Sequence, residues 1–144
     1  MSKQNPIESF NIREAKGNDF YRIMVVNEAL KGFKNKNLFP WFLFITIDME
    51  NTTGDYNLPT ENEAEVLNSF EDDLTSLILK TVSYQFIGRI TDDGKRELYY
   101  YVETPQEIHS RLNHIIETNN YKREFQYEIL EDTNWAKVDF FFDY

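Results

Sequence analysis

The chain has 144 residues, a formal net charge of −10 at pH 7 and no Cys. That length fits one domain with a substantial core. The missing thiols exclude disulfides and thiolate chemistry, and the acidic balance disfavours nucleic acid and anionic membranes while favouring basic partners.

No apolar run approaches the roughly 20 residues needed to span a bilayer. The opening MSKQNPIESFNIREAKG is polar and lacks the apolar stretch of a signal peptide. A soluble cytoplasmic protein is expected. Aromatic residues form 16% of the chain, enough rings to anchor a core or make an adhesive surface.

Ser9 to Ala15 alternates weakly, Lys16-Gly17-Asn18-Asp19 signals a turn, and Phe20 to Val26 is rich in aromatic and β-branched residues. This predicts an N-terminal β-hairpin. Ala29 to Asn37 is basic and polar and reads as a loop. Trp41 to Ile47 is a nearly continuous apolar run, the mark of a central, buried strand. Glu50 to Pro59, with Gly54, Asp55 and Asn57, reads as a loop.

Thr60 is placed to cap a helix, with Glu63 as its capping-box partner. Leu67, Phe70, Leu74, Leu77 and Ile78 then recur at helical spacing as far as about Lys80. Val82 to Ile90 predicts a strand, Asp92-Asp93-Gly94-Lys95 a hairpin turn, and Glu97 to Val102 the return strand. The capping signature recurs with Thr104 as cap, Pro105 at the first helical position and Glu107 as partner, ahead of Ile108, Leu112, Ile115 and Ile116. Asn119-Asn120 ends that helix, and Glu124 to Leu130 alternates as a strand. The tail from Trp135 to Tyr144 fits a short helix or a strand equally.

From Trp41 the order is β-α-β-β-α-β. The expected class is α+β: a ferredoxin-like split β-α-β sandwich, an antiparallel sheet with two helices on one face. Residues 8–37 form the hairpin and loop, 38–131 the core and 132–144 the aromatic tail of a single domain spanning 1–144. Leu43, Ile45, Ile47, Leu98, Tyr100 and Val102 should face the helices. Phe42, Phe44, Thr46, Tyr99 and Tyr101 then share the opposite face, flanked by Gln85, Ile87, Arg89, Gln126 and Glu128. Such rings are reminiscent of RNA-recognition sheets, but the glycines of the RNA-binding motif are absent and the charge has the wrong sign. The face is expected to be covered by the hairpin or the tail or to meet a second copy, with a protein, and then a nucleic acid or small molecule, as the remaining alternatives.

Between Lys36 and Lys80 there is no Lys or Arg, while nine acidic residues occur there. Glu61, Glu65 and Asp72 align on a helical wheel opposite the Leu67/Phe70/Leu74 stripe. They read either as a docking face for a basic protein or as a solvated surface favoured near a helix N-terminus. His109 and His114, five residues apart, do not make a two-histidine metal face. Asp48-Met49-Glu50 with Gly54-Asp55 has calcium-like composition but not the loop spacing. Ser69, Ser76, Ser83 and Ser110 lack a nucleophile elbow. No catalytic constellation, metal site or cofactor is expected.

Several motifs together resemble a bacterial domain-of-unknown-function family, number six-nine-five. They are Asn57-Leu58-Pro59-Thr60, Leu67, Glu71-Asp72-x-Leu74, Phe86-Ile87-Gly88-Arg89-Ile90-Thr91, Gly94, Arg96-Glu97, Tyr99-Tyr100 and the late Trp135. The resemblance spans about Phe20 to Phe142. It departs at Val138, where an aromatic is expected, and no Pro follows the tail. The family is similar in fold to the regulator of ribonuclease activity B, an acidic inhibitor of an RNA-degrading endonuclease. That resemblance implies a protein-binding regulator and transfers no catalytic residue.

The resulting expectation is a non-enzymatic, acidic protein-interaction or regulatory domain with a protein partner, and a homodimer as a second option. The alternative is a small-ligand-binding domain with its pocket between the sheet face and the tail. The candidate surface residues are Glu61, Glu65, Asp72, Phe42, Phe44, Tyr99 and Tyr101, with Arg89 and Arg96. The two arginines and Glu97 are expected to pair across neighbouring strands.

Overall fold

A computed structural model describes residues 6–143. Met1 to Asn5 of the polar opening and Tyr144 of the tail lie outside the described residues. The N-terminal hairpin forms as expected. Strand β1 (Phe10–Lys16) pairs with β2 (Tyr21–Asn27) in unbroken antiparallel register from Phe10↔Asn27 to Lys16↔Tyr21. Two single 3-10 turns, Glu28–Leu30 and Lys36–Leu38, interrupt the predicted loop.

β3 (Trp41–Asp48) pairs on both sides, which is why its sequence is apolar almost throughout. The following loop contains a small ribbon, β4 (Thr52–Thr53) with β5 (Leu58–Pro59). Helix α1 spans Glu61–Thr81, and the Thr60 hydroxyl accepts the Glu63 backbone N–H at 3.2 Å. β6 (Tyr84–Asp92) and β7 (Lys95–Val102) follow, joined by Asp93 and Gly94 with φ of 44° and 78°. Positive φ at both central residues suits the twist of a two-residue hairpin. Helix α2 (Gln106–Glu117) and β8 (Phe125–Glu131) complete the core, and the tail coils as a 3-10 helix over Ala136–Phe142.

The class is α+β. The larger sheet is open and antiparallel, with six strands in the order β1-β2-β6-β7-β3-β8. Its two faces bury separate clusters. On one, Leu43, Ile45, Ile47, Leu98, Tyr100 and Val102 pack beneath Leu67, Phe70, Leu74 and Ile78 of α1 and Ile108 and Leu112 of α2. On the other, Phe42, Tyr99, Tyr101, Ile87 and Ile90 pack under Leu30, Phe39, Trp135, Val138 and Phe141. Each large side chain so enclosed contributes about 1.5–3 kcal/mol.

The face assignment of β3 and β7 therefore holds, and the second face is closed by the tail and the segment after the hairpin. The hairpin itself does not fold over the sheet. Its β2 strand adds to the edge of β6 (Ile23↔Thr91 to Val26↔Gly88) and widens it.

Two expectations are corrected. The second capping box does not form, because the cap position falls at Pro105, which has no side-chain capping bond. Glu107 instead meets Arg111 one turn on, at 3.0 Å. The second correction concerns β6. A bulge between Phe86 and Gly88 inserts one residue against β7, so Phe86 pairs with Tyr100 while Gly88 pairs with Tyr99. Strand faces alternate with period two, so one extra residue exchanges everything beyond it. Arg89, expected beside the aromatic face, consequently sits on the helix side.

Candidate functional site

The acidic helix α1 is the centre of the charged architecture, and its residues sort by direction. At the N-terminus Glu63 is fully buried. It does not reach back to close a capping box. Its carboxylate accepts from Arg123 Nε at 2.8 Å and Nη2 at 2.6 Å, from the Glu50 backbone N–H at 3.0 Å and from Asn51 Nδ2 at 3.2 Å. The Arg123 hydrogen bonds outweigh the opposing effect of burial and bring Glu63 from an ordinary 4.5 to about 2. This cluster ties the start of α1 to the loop leaving β3 and to the segment entering β8.

Two turns along, Glu71 takes a forked pair from Arg89, with Nε at 2.9 Å and Nη2 at 2.7 Å. Arg96 Nη1 stands 3.6 Å from the same carboxylate and donates to Asn68 Oδ1 at 2.7 Å, and Arg96 Nε donates to Thr91 Oγ1 at 3.2 Å. Burial pulls Arg96 below its ordinary proton affinity, against the upward pull of Glu71. Arg89 and Arg96 therefore meet on α1. Glu97 points to the other face and accepts from the Tyr99 hydroxyl at 3.2 Å, so the expected cross-strand pairing with Glu97 is not made. Asp73 completes the set with Lys122 Nζ at 2.8 Å.

What remains is an outward stripe. Glu61, Glu65 and Asp72 are exposed and form no ion pair among the described residues. At 3.6 residues per turn and 1.5 Å per residue they occupy one face over about 16 Å. Beside Asp72, between α1 and the hairpin, lies a shallow cleft of about 130 Å³ bordered by Phe10, Thr75, Tyr84 and Arg89.

The aromatic candidates are placed differently. Phe42, Tyr99 and Tyr101 are interior residues, and Phe44 is half-buried. Trp135 stacks on Tyr101 with ring centroids 4.5 Å apart, and Phe141 meets Tyr99 edge-on at 4.8 Å. The Trp135 indole N–H donates to the Phe39 carbonyl at 2.9 Å. Tyr101 donates to Asp132 at 2.6 Å, and the Asp132 carboxylate also accepts the Ala136 and Lys137 backbone N–H groups. Burial pushes the Tyr99 and Tyr101 hydroxyls far up, reinforced by Glu97 and Asp132 respectively. The space proposed for a ligand between sheet and tail is thus filled by rings.

An open groove of about 730 Å³ lies elsewhere, between α1 and α2, with Phe70, Leu77 and Ile115 as floor and Arg111, His114 and Lys122 on its rim. His109 is exposed and its Nδ1 lies 2.7 Å from the Tyr127 hydroxyl. Asp48 is bonded by Lys95 and Glu50 by Arg123. Among the described residues no three His, Asp or Glu side chains converge as metal ligands, and no helix is long and apolar enough to cross a membrane.

Arg123 is the residue that sequence reasoning missed. It lies 60 residues from Glu63, and no local pattern marks a contact of that range. The one available signal was the absence of any Lys or Arg across the acidic interval, which required distant cations wherever an acid turned inward.

The motif residues now have physical roles. Asn57 has φ of 51° and its carbonyl accepts the Gly94 N–H at 2.8 Å, so the loop before α1 clasps the β6–β7 turn. Thr60 caps α1, Glu71 binds Arg89, and Trp135 seals the second core. No curated protein and no solved structure matches the chain. The model of the family described as "Family of unknown function (DUF695)" matches residues 12–144, and the chain belongs to that family.

Proposed function

We propose that this chain is a non-enzymatic protein-interaction or regulatory domain, which presents the acidic stripe of α1 to a basic protein. One observation carries the reading. The α1 acids Glu63, Glu71 and Asp73 are each matched by Arg or Lys, whereas Glu61, Glu65 and Asp72 form an exposed stripe without a cation against it. A fold that pairs its two buried α1 acids and the exposed Asp73, yet leaves one outward row without a cation, presents a focused negative field. Such a field accelerates encounter with a basic surface and weakens as salt is added.

The finer fold reading supports the same class. The strand order β8-β3-β7-β6, with both helices packed on one face, matches the arrangement expected of a ferredoxin-like sandwich and supports that reading. This favours kinship with the acidic regulator of ribonuclease activity that the motifs resemble, and an inhibitor acting on a nucleic-acid-processing enzyme in the cytoplasm fits that kinship. The aromatic sheet face plays no part in this proposal, because the tail covers it.

The test is quantitative capture from the native host with full-length protein, wild type against the triple variant Glu61→Lys, Glu65→Lys, Asp72→Lys. The variant should fold normally, since none of the three side chains packs in either core. It should recover much less of a stoichiometric partner, with the largest deficit at low ionic strength. A folded variant that captures that partner unchanged at low salt overturns the proposal.

A further inference from the structure

We infer that β1 is a self-recognition edge, through which two copies of the chain join their sheets in antiparallel register about a two-fold axis at Ile12.

The free edge is long and regular. β1 pairs with β2 over its whole length without a bulge. Soluble proteins usually blunt such an edge with irregularity, Pro or charge. Here it carries Phe10 at 48% and Ile12 at 68% exposure, with Ile7 at 92% just before it. The direction of its backbone follows from the hydrogen bonds at its ends. The Ser9 carbonyl accepts the Glu28 N–H at 2.7 Å, and the Gly17 N–H donates to the Phe20 carbonyl at 2.9 Å. Odd-numbered residues therefore bond inward to β2. By alternation, Phe10, Ile12, Glu14 and Lys16 direct their N–H and C=O groups to the open side.

Charge complementarity selects the occupant. The chain as a whole is at −10, so two copies repel almost everywhere. Along residues 8–16 the charges balance, with Glu8 and Glu14 against Arg13 and Lys16. The opposite edge, β8, carries Glu128 and Glu131 with no basic residue in the strand. Of the two edges of this sheet, β1 alone carries balanced charge and can meet its own copy without a charge penalty.

The register is selected by the same rule together with the length of strand that can pair. Two-fold pairing centred on Asn11 sets Glu8 against Glu14 of the partner subunit. Centring on Arg13 or on Glu14 opposes each to itself. Like charges directly opposite are destabilising. Centring on Phe10 or on Ala15 also avoids like charges but pairs only one or three of the β1 residues 10–16, whereas centring on Ile12 opposes no like charges while pairing five of them. The Ile12 centre places Ile12 on Ile12 of the partner subunit and Asn11 on Arg13 of the partner subunit, and it sets Glu8 against Lys16 of the partner subunit twice, once on each side of the axis. Phe10 and Ile12 of both copies then form one apolar row on the helix side, continuing from Phe86, whose ring centroid is 6.1 Å from that of Phe10. This surface adjoins the acidic stripe at the small cleft that Glu8, Phe10 and Asp72 share, but its backbone pairing does not rest on the stripe.

Sedimentation equilibrium of the full chain should show a concentration-dependent species of twice the 17.3 kDa chain mass. Ile12→Pro removes only an outward N–H, so the hairpin and thermal melt should persist while the dimer is lost. Ile12→Lys, which keeps the backbone donor, should abolish it as well. Glu8→Lys or Lys16→Glu alone should raise the dimer dissociation constant about tenfold, and the double exchange should restore it. A chain that remains monomeric into the millimolar range overturns the inference and leaves the edge to a strand of another protein. A dimer that survives Ile12→Pro, or single exchanges that the double exchange does not rescue, overturns it equally.

Discussion

Replacing Glu63 with Gln gives a sharp test of how α1 is fixed. Gln preserves the shape and one acceptor oxygen, but it leaves the Arg123 guanidinium, 13% exposed, with only the exposed Glu50 carboxylate, 3.2 Å away, as counter-charge. The carboxyl is lowered from 4.5 to about 2, chiefly by the Arg123 hydrogen bonds. At 1.36 kcal/mol per unit this corresponds to about 3 kcal/mol of stability. The sign follows from the depressed value. The contribution is complete above the unfolded value near 4.5 and is lost as pH falls through about 2. Urea denaturation of wild type and Glu63→Gln should therefore differ by about 3 kcal/mol at pH 7, and by roughly half of that at pH 3. Carboxylates away from Arg123 titrate in both proteins and cancel in the difference. A cost that stays constant between the two pH values would show that packing, not the ion pair, sets the effect. A cost below about 1 kcal/mol at pH 7 would place the pair among solvent-screened ones.

Thr60→Ala should cost about 1 kcal/mol in denaturant midpoint analysis, while Thr104→Ala should change little, because Thr60 bonds the Glu63 N–H and the second helix is not capped by a side chain. Gly88→Ala should destabilise by about 3 kcal/mol, since the added Cβ would stand 2.3 Å from the Val25 carbonyl oxygen and 2.9 Å from the Phe141 ring. A Gly88→Ala protein with an unchanged midpoint would mean that β2 does not approach the bulge so closely. Trp135→Ala should cost about 3–5 kcal/mol and expose the aromatic sheet face to a hydrophobic dye. Loss of less than about 1 kcal/mol would show that the tail is not part of the folded core.

Elements with a short-range signature were legible in the sequence. Helical spacing located α1, strict alternation located β8, and Asp93-Gly94 located the turn between β6 and β7. The Phe42/Tyr99/Tyr101 face was separable from the Leu43/Leu98/Tyr100 face because β3 and β7 keep period two throughout. Tertiary terms decided the rest. Thr104, Pro105 and Glu107 match a capping box in sequence, yet Pro105 takes the cap and Glu107 finds Arg111. The tail resolved as a 3-10 helix because Trp135, with φ of 59°, turns the chain back onto Tyr101, a contact that no local pattern encodes.

The bulge at Ile87 shows how one residue changes the meaning of a motif. Without it Arg89 would lie on the tail side, opposite Glu97, as an arginine near an aromatic face. With it Ile87 fills the tail-side core and Arg89 crosses to Glu71. Gly88 is then the residue that permits the shift, because at that point β2 leaves no room for a side chain. The Gly-Arg pair, the following Thr91 and Arg96, and Glu71 on α1 form one device that locks the helix to the β6–β7 hairpin. Breaking it by Arg89→Ala would leave a buried carboxylate facing Arg96 alone, which predicts a loss of about 3 kcal/mol for a severed, largely buried pair. The motif residues on which the resemblance to the family rests therefore act inside the fold. The proposed outward chemistry lies instead in the acidic stripe and the β1 edge, where core packing does not constrain the side chains.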